Sequence, residues 1–149
     1  MTDAASFTSV KTYRNLPCAH RQWRHDGHCA FIHGYSRAFT FVFGASALSD
    51  THFVVDFGGL KTVKTWLEQQ FDHTLLICAD DPELPRFREM HERGICDLRV
   101  LPNVSMEATA MWVYENVQPM IDELTGGRAW IVSVECREND KNAGVYRPT

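Results

Sequence analysis

The chain has 149 residues, 44% of them apolar, which suits a single domain over residues 1–149 with one hydrophobic core. Its net charge of −4 and its scattered basic residues argue against a nucleic-acid partner. No apolar stretch is long enough to span a membrane, and the N-terminus lacks a signal-peptide core, so a soluble cytoplasmic protein is expected.

The N-terminal part of the chain is predicted to form two strands with a long loop between them. Residues Ser6–Tyr13 suggest a short first strand. Residues Asn15–Ile32 are polar and rich in histidine, and loops of this length in compact domains are usually functional or disordered. Residues Tyr35–Gly44 form the clearest strand, because aromatic residues alternate along one face of it.

Two helices and a small strand are predicted next. Apolar residues at helical spacing predict a helix over Gly58–Phe71. A shorter helix is expected over Pro82–Gly94, with Pro85 near its start and the glycine as its stop. Residues Ile95–Leu101 alternate weakly and suggest a small strand.

A long helix and a strong strand are predicted in the C-terminal part. Ser105 is a suitable N-cap for the helix, which should bend or end early at Pro119 and stop at Gly126. Residues Ala129–Cys136 then predict a strand with Trp130, Val132, Val134 and Cys136 on one face, and Val145-Tyr146 suggests a last short strand. The element order favours an α+β domain: a four-stranded antiparallel sheet, two main helices on one face, and an extra helical insertion around residues 80–100.

A cluster of histidines is the most unusual feature of the composition. Four of the seven histidines lie between His20 and His33. His33 and Tyr35 are two residues apart at the start of a strand, so their side chains point to the same face. Such histidines can assemble a three-ligand zinc site with an open fourth position. The alternative is a polar loop whose histidines are solvated.

Two further features are candidates for proton chemistry. Cys29 lies four residues before His33, and a thiolate near a cation and a histidine can act as a base; the alternative is an inert, buried cysteine. Asp72 directly precedes His73 after the first long helix, and a carboxylate can orient an imidazole. The alternative there is a solvated helix C-terminus, where histidine is favoured by the helix dipole.

Glu135 lies in the middle of an otherwise apolar strand. A carboxylate there is costly to bury without a partner, so it needs a donor-rich ligand, an arginine or contact with water. A salt bridge or a solvent-facing position are the structural alternatives to a ligand-binding role.

The order and spacing of these residues resemble the family of 6-pyruvoyl-tetrahydropterin and 6-carboxy-tetrahydropterin synthases across nearly the whole chain. The matching segments are Ala19-His20, Cys29-Ala30-Phe31-Ile32-His33-Gly34-Tyr35, Val55-Asp56-Phe57, Leu60-Lys61, Phe71-Asp72-His73, Ser105-Met106-Glu107, Val134-Glu135 and Tyr146-Arg147. The Cys-x-x-x-His-Gly spacing is similar to that of the bacterial 6-carboxy branch, which serves queuosine synthesis.

The resemblance implies a tunnelling fold and a homo-oligomer, a trimer or hexamer, with the pterin site between subunits. It implies a zinc-dependent lyase that converts 7,8-dihydroneopterin triphosphate with loss of triphosphate and a two-carbon aldehyde. A pyruvoyl-type synthase, which eliminates triphosphate without carbon–carbon cleavage, is one alternative. A pterin-binding paralogue with a weakened zinc site is another.

The resemblance also implies roles for individual residues. His20, His33 and the residue at position 35 would hold zinc, Cys29 would be the general base, and Asp72 with His73 would assist proton transfer. Glu135 would anchor the pterin by accepting hydrogen bonds from its amino group and ring N–H.

Two departures from the family pattern stand out. The family has His-Gly-His where this chain has His33-Gly34-Tyr35. A phenol must lose a proton with a pKa near 10 to ligate zinc, so three outcomes stay open. Tyr35 ligates as a phenolate, His25 or His28 replaces it, or zinc binds weakly or not at all. The second departure is a longer stretch over Ile77–Asn103, which could cover the pocket, alter oligomer contacts or decorate the surface.

Overall fold

The computed structural model describes residues 4–149, which contain a mixed sheet of six strands and three α-helices. The strands are β1 (Phe7–His20), β2 (His33–Ala45), β3 (Thr74–Cys78), β4 (Leu98–Leu101), β5 (Ala129–Arg137) and β6 (Ala143–Tyr146). The helices are α1 (Lys61–Phe71), α2 (Leu84–Glu92) and α3 (Met106–Thr125). The strand order across the sheet is β4-β3-β1-β2-β5-β6.

The predicted α+β class is confirmed, but the sheet has six strands instead of four. The two further strands are β3, which pairs in parallel with β1, and β4, which pairs in parallel with β3, whereas the other pairings are antiparallel. Strand β4 confirms the small strand predicted over Ile95–Leu101 and adds it to the sheet. Strand β3 is a run of five buried residues without alternation. Both of its faces are covered, so it lacks the period-two pattern by which half-buried strands are recognised.

Strand β1 is longer than the sequence predicts. It pairs with β2 over its whole length, from Phe7 opposite Ala45 to His20 opposite His33. The pairing slips between Tyr13 and Leu16, and the bulge residue Asn15 has a φ of 63°. A bulge shifts the side-chain phase of a strand, which hides the alternation. The prediction that a loop begins at Asn15 is therefore wrong, and only residues 21–32 connect the two strands.

The two main helices pack on one face of the sheet, as predicted. Helices α1 and α3 cover a core that includes the alternate aromatic residues Phe39, Phe41 and Phe43 of β2. Helix α2 lies on the opposite face, because Phe87 packs with Leu75 and Ile77 of β3, whereas Leu76 and Cys78 belong to the main core. The insertion thus adds both a sheet extension and a helix on the second face.

Helix α3 begins and ends where the sequence predicts. The Ser105 hydroxyl accepts a hydrogen bond from the Ala108 amide at 3.0 Å, and Gly126 is left-handed with a φ of 61°. Of the two alternatives for Pro119, a bend or an early end of the helix, the early end is wrong, since the helix runs to Thr125. Pro119 and Glu115 are both exposed, so the carbonyl that loses its partner lies on the solvent side.

A second bulge changes which residues of β5 face the core. The pairing with β2 slips between Val42 and Phe43, so that Ser133 and Ile131 are the successive partners. Ile131, Val134 and Cys136 are consequently buried in the main core. The predicted single face of Trp130, Val132, Val134 and Cys136 is wrong for this reason.

In residues 4–149, none of the helices has the length and apolar character needed to cross a membrane.

Candidate functional site

A pair of histidines lies where the β1–β2 hairpin ends. His20 and His33 are direct partners in the antiparallel register, and their ring centroids are 4.5 Å apart. Gly34 permits this close approach, because a Cβ at that position would lie 2.6 Å from the Cys18 carbonyl oxygen. His20 is buried and His33 is half-buried. The structure therefore brings together the two histidines that the sequence singled out.

Glu138, which is not among the site residues predicted from the sequence, joins this pair. Its Oε1 lies 3.6 Å from His20 Nε2. The potential ligand atoms of His20, His33 and Glu138 all lie within 4.8 Å of one another, as they would around a metal ion. We call these three residues the His–His–Glu group. Alternation along β5 would have identified Glu138, because it follows the core-facing Cys136 by two residues.

Glu135 lies on the other face of the sheet. It pairs with Thr40 in the antiparallel register, whereas the neighbouring core-facing residues Val134 and Cys136 pair with Phe41 and Phe39. Its Oε1 accepts a hydrogen bond from Arg137 Nε at 3.1 Å. The structure thus separates Glu135 from the His–His–Glu group of the same chain.

Of the residues considered as a third zinc ligand, the two loop histidines lie outside the group, and Tyr35 adjoins it. The Tyr35 ring packs edge-on against the His33 ring with centroids 5.9 Å apart, and the side chain is half-exposed. His25 and His28 lie near each other in the connecting loop, with ring centroids 6.5 Å apart. His25 Nδ1 accepts a hydrogen bond from the Gly27 amide at 2.9 Å. Glu138 is therefore the third potential ligand that the described residues place beside His20 and His33.

Hydrogen bonds fix opposite tautomers on the two histidines. His33 Nδ1 lies 2.7 Å from the Phe31 carbonyl oxygen, which can only accept, so Nδ1 carries the proton and Nε2 is a free acceptor. His20 Nδ1 lies 2.9 Å from a terminal nitrogen of Arg37, which can only donate, so Nδ1 is the acceptor and Nε2 carries the proton. His20 Nε2–H is the atom that lies beside the Glu138 carboxylate.

Burial keeps His20 neutral. Desolvation, with smaller contributions from the Arg37 charge and from His33, lowers the pKa of His20 from 6.5 to about 3. The unfolded chain therefore binds more protons than the folded chain between these values, and stability falls as the pH decreases from about 6.5.

We expect the free energy of unfolding to decrease by about 1.5 kcal/mol between pH 6.5 and pH 5 because of His20 alone. Urea denaturation at both pH values measures this, with His20→Gln as the comparison. The wild type should show the steeper loss of stability. Equal losses in the two proteins would show that His20 does not titrate in this way.

Cys29 lies in the loop that leads into β2. It forms part of a single 3-10 turn, His28–Ala30, and its carbonyl oxygen accepts a hydrogen bond from the Gln22 amide at 2.9 Å. Its side chain is half-exposed. We call residues 21–32 the Cys29 loop.

The insertion holds the Cys29 loop. Arg21 donates two hydrogen bonds of 2.7 Å to the buried carboxylate of Asp81, which follows β3. Burial would raise the pKa of Asp81, but the hydrogen bonds from Arg21 and from the Glu83 amide outweigh it and hold this pKa below its ordinary value. Trp23 Nε1 also donates to Asp80 at 3.1 Å. These contacts give the insertion a positioning role for the loop.

Replacing Asp81 with asparagine should destabilise the fold by about 2 kcal/mol, because Arg21 loses its paired carboxylate. The matched control is Asp80→Asn, in which an exposed carboxylate 3.3 Å from Arg24 is removed and little change is expected. Thermal or urea denaturation of both variants measures the difference. Equal effects of the two substitutions would contradict a specific role for the Arg21–Asp81 pair.

Asp72 and His73 form a hydrogen-bonded dyad directly after α1. His73 Nδ1 donates to Asp72 Oδ1 at 2.7 Å, which leaves Nε2 free. Adjacent side chains can meet here because His73 has a left-handed φ of 62°, and its amide donates to the Pro17 carbonyl at 2.6 Å. The imidazole is 83% exposed. Pro17 precedes His20 by three residues, roughly 10 Å of strand, so the dyad does not touch the His–His–Glu group of its own chain.

A cavity of about 320 Å³ opens beside the dyad, between β1 and α1. Its lining includes Asp72 and Glu68 together with four cationic side chains, which are Lys11, Arg14, Lys61 and Lys64. Tyr13 also contributes to the lining, although its hydroxyl is buried. The surplus of cationic side chains suits an anionic ligand.

Comparisons with known proteins give the family of the chain. A model of the 6-pyruvoyl tetrahydropterin synthase family matches residues 9–149. The chain is 35% identical over 66 residues to a 6-carboxy-5,6,7,8-tetrahydropterin synthase of Rickettsia felis, covering 44% of this chain and 48% of that protein. It is 24% identical to the synthase of that name from Aquifex aeolicus, covering 92% of this chain and 95% of that one. The chain thus spans about half the length of the first curated relatives that it matches.

Solved structures share the fold at low sequence identity. An uncharacterised protein from Wolinella succinogenes superposes with a TM-score of 0.83 at 18% identity, covering 96% of this chain and 98% of that one. The 6-pyruvoyltetrahydropterin synthase of Plasmodium vivax superposes with a TM-score of 0.69 at 15% identity, covering 97% and 99%. The extent of the family match, supported by this shared fold, shows that the chain belongs to the 6-pyruvoyl tetrahydropterin synthase family.

Proposed function

We propose that the protein is a lyase of the 6-carboxy-tetrahydropterin synthase type that acts on 7,8-dihydroneopterin triphosphate. The observation that carries the proposal is the His–His–Glu group, which lies beside the Cys29 loop within the segment that the family model matches. The names of the curated relatives support the 6-carboxy product over the 6-pyruvoyl product. Function in queuosine synthesis in the cytoplasm, by a single-domain chain, is part of the same proposal.

A carboxylate must anchor the pterin, because its amino group and ring N–H are donors that need acceptors in a buried site. The resemblance assigns this role to Glu135, and that assignment stays a prediction. The geometry favours Glu138 for the role. Glu138 shares a sheet face with His20 and His33, whereas Glu135 is already hydrogen-bonded to Arg137 on the opposite face.

Proton transfer would be divided between Cys29 and the dyad. The Cys29 thiolate would remove a proton from the substrate side chain, and His73, oriented by Asp72, would return one through its free Nε2. Triphosphate leaves, and cleavage of the carbon–carbon bond releases the two-carbon aldehyde, with the second carboxylate oxygen supplied by water. The cationic cavity beside Asp72 would receive the triphosphate.

The dyad is exposed and lies away from the His–His–Glu group of its own chain, so a complete site would combine two subunits. The outer edge of β1 offers a surface for such assembly. Strand β3 pairs only with Cys18, Ala19 and His20, and the His73 amide bonds to the Pro17 carbonyl, so residues 7–16 have no strand neighbour on that edge among the described residues. A free strand edge is suited to pairing with another subunit, which agrees with a homo-trimer or hexamer.

Zinc is the cofactor that the resemblance implies, and the donor set does not fit it in this arrangement. His33 has a suitable tautomer, with Nδ1–H on a carbonyl and Nε2 free. His20 has the opposite tautomer, because Arg37 donates to its Nδ1 and the proton is on Nε2, which faces the group. The third imidazole of the family is replaced by Tyr35. No step of the proposed reaction is therefore assigned to a metal.

Incubation of the purified protein with 7,8-dihydroneopterin triphosphate, followed by mass analysis of the products, tests the proposal. The expected products are 6-carboxy-tetrahydropterin, triphosphate and a two-carbon aldehyde. A product that keeps the full carbon side chain would instead indicate the pyruvoyl-type synthase. Unchanged substrate, both with added zinc and after chelation, would refute the lyase proposal.

The second candidate is a pterin-binding paralogue without turnover, and Tyr35 in place of the third histidine favours it. This candidate predicts pterin binding that survives chelator treatment and does not need Cys29. A measurable turnover that Cys29→Ala abolishes while binding persists would exclude it.

A further inference from the structure

Arg37 is a buried charge that the proposed reaction does not explain. It lies on the core face of β2, between Tyr35 and Phe39, and is fully buried. Its Nε and one terminal nitrogen have no hydrogen-bond partner among residues 4–149, and no carboxylate described there lies within ion-pairing distance of it. A buried guanidinium is costly unless something compensates it, so this residue calls for a functional explanation.

The one side-chain hydrogen bond that Arg37 makes within residues 4–149 is directed at the His–His–Glu group. Its terminal nitrogen donates to His20 Nδ1 at 2.9 Å. In a metal-binding histidine, the N–H of the second ring nitrogen ordinarily donates a hydrogen bond to a carboxylate or carbonyl, which leaves the first nitrogen unprotonated for the metal. The guanidinium of Arg37 reverses these donor and acceptor roles, because it has no acceptor atom and His20 Nδ1 must therefore accept. Nε2 of His20 must then carry the proton, and a protonated nitrogen has no lone pair for a cation.

The charge of Arg37 disfavours a metal ion at His20, as the tautomer does. A fixed positive charge in contact with His20 repels a divalent cation at its other nitrogen, and low surrounding polarity strengthens the repulsion. The guanidinium is fully buried, Arg37 pairs with the core residue Leu16 in the sheet, and its charge lies near the buried thiols of Cys18 and Cys136. The missing third imidazole at position 35 and the buried guanidinium of Arg37 are two separate features of this chain, and both disfavour a bound metal ion.

We propose that the Arg37 guanidinium takes the place of a metal ion in this site: it supplies the fixed positive charge, holds His20 in the Nε2–H tautomer and excludes divalent cations. The group then presents one donor, His20 Nε2–H, and two acceptors, His33 Nε2 and the Glu138 carboxylate. Such a set suits a neutral heterocycle with neighbouring N–H and acceptor atoms. The identity of that ligand rests on the proposed function, but the exclusion of metal does not.

Metal binding tests the inference without any pterin, so its failure is distinguishable from failure of the lyase proposal. Zinc per chain is measured by elemental analysis, and affinity by competition with a chromogenic chelator. The wild type should retain almost no zinc. Arg37→Leu should bind zinc about 10–100-fold more tightly, because Nε2 of His20 no longer has to carry the proton and can bind the ion. Arg37→Leu combined with Tyr35→His should hold close to one zinc per chain, whereas the exposed control Arg88→Leu should match the wild type.

Two further measurements keep the test interpretable: the stability of the variants and the tautomer of His20. Replacing an unpaired buried charge with leucine should leave the melting temperature equal or higher. Nitrogen-15 NMR of the histidine rings in the wild type needs no variant and should show His20 protonated at Nε2. One tightly bound zinc in the wild type that His20→Ala removes, an unchanged affinity in folded Arg37→Leu, or His20 protonated at Nδ1 would each overturn the proposal.

Discussion

Replacing Cys29 with alanine should lower kcat for the proposed lyase reaction about a thousandfold, because a positioned base contributes factors of about 10²–10⁴. Pterin affinity should change little, since the thiol acts on the side chain of the substrate and not on its ring. The fold should also persist, because Cys29 is half-exposed in a short turn. Steady-state kinetics together with a pterin-binding titration measure the two effects separately.

Cys96→Ala is the matched control for this prediction. Cys96 is likewise a half-exposed free cysteine, but it packs near α2 on the opposite face of the sheet, where its thiol donates to the Phe87 carbonyl at 3.9 Å. Burial raises the pKa of the Cys96 thiol, which disfavours a reactive thiolate. Equal losses of activity in the two variants, or full activity in Cys29→Ala, would remove Cys29 from the mechanism.

Replacing Glu138 with glutamine should weaken pterin binding about 10–100-fold, because hydrogen bonds to a charged acceptor contribute about 1.5–3 kcal/mol. The substitution keeps the size of the side chain but removes the charge and converts one oxygen into a donor. Isothermal titration with a non-hydrolysed pterin measures the affinity directly.

Glu135→Gln provides the comparison for Glu138, since it makes the same chemical change three residues earlier on the opposite face of the sheet. We expect its pterin affinity to stay within about threefold of the wild type, because Glu135 is already hydrogen-bonded to Arg137. A large loss in Glu135→Gln with none in Glu138→Gln would restore the anchoring role that the resemblance assigns to Glu135.

The main helices and the central strand could be predicted from the sequence because their patterns are local. Helix α1 has apolar residues at helical spacing, and α3 has a serine cap and a glycine stop. Strand β3 and the second half of β1 could not be predicted, because burial on both faces and a bulge each remove the alternation that identifies a strand.

Only the site residues that belong to short sequence motifs could be predicted. His20 and His33 were found from a motif, and their contact follows from a hairpin register that the sequence does not specify. The Asp72–His73 dyad looked weak because adjacent side chains rarely meet, and only the left-handed backbone at His73 makes it possible. Glu138 follows the core-facing Cys136 by two residues, but it lies beyond the strand predicted over Ala129–Cys136.

Arg37 illustrates the same limit. The alternation of β2 places Arg37 on the face of the central aromatic residues, and the structure confirms that position. Its contact with His20 depends on the pairing of β1 with β2 after a bulge. A sequence pattern gives the face of a residue, whereas the partner of a buried charge is a property of the assembled sheet.

A crystal structure of the protein with a bound pterin would test the central claim most directly. We predict that the ring lies beside the His–His–Glu group, with its amino group and ring N–H within hydrogen-bonding distance of the Glu138 carboxylate. The dyad of Asp72 and His73 from a neighbouring subunit should approach the side chain of the pterin. A pterin bound against Glu135 on the opposite face, or bound away from His20 and His33, would contradict the account.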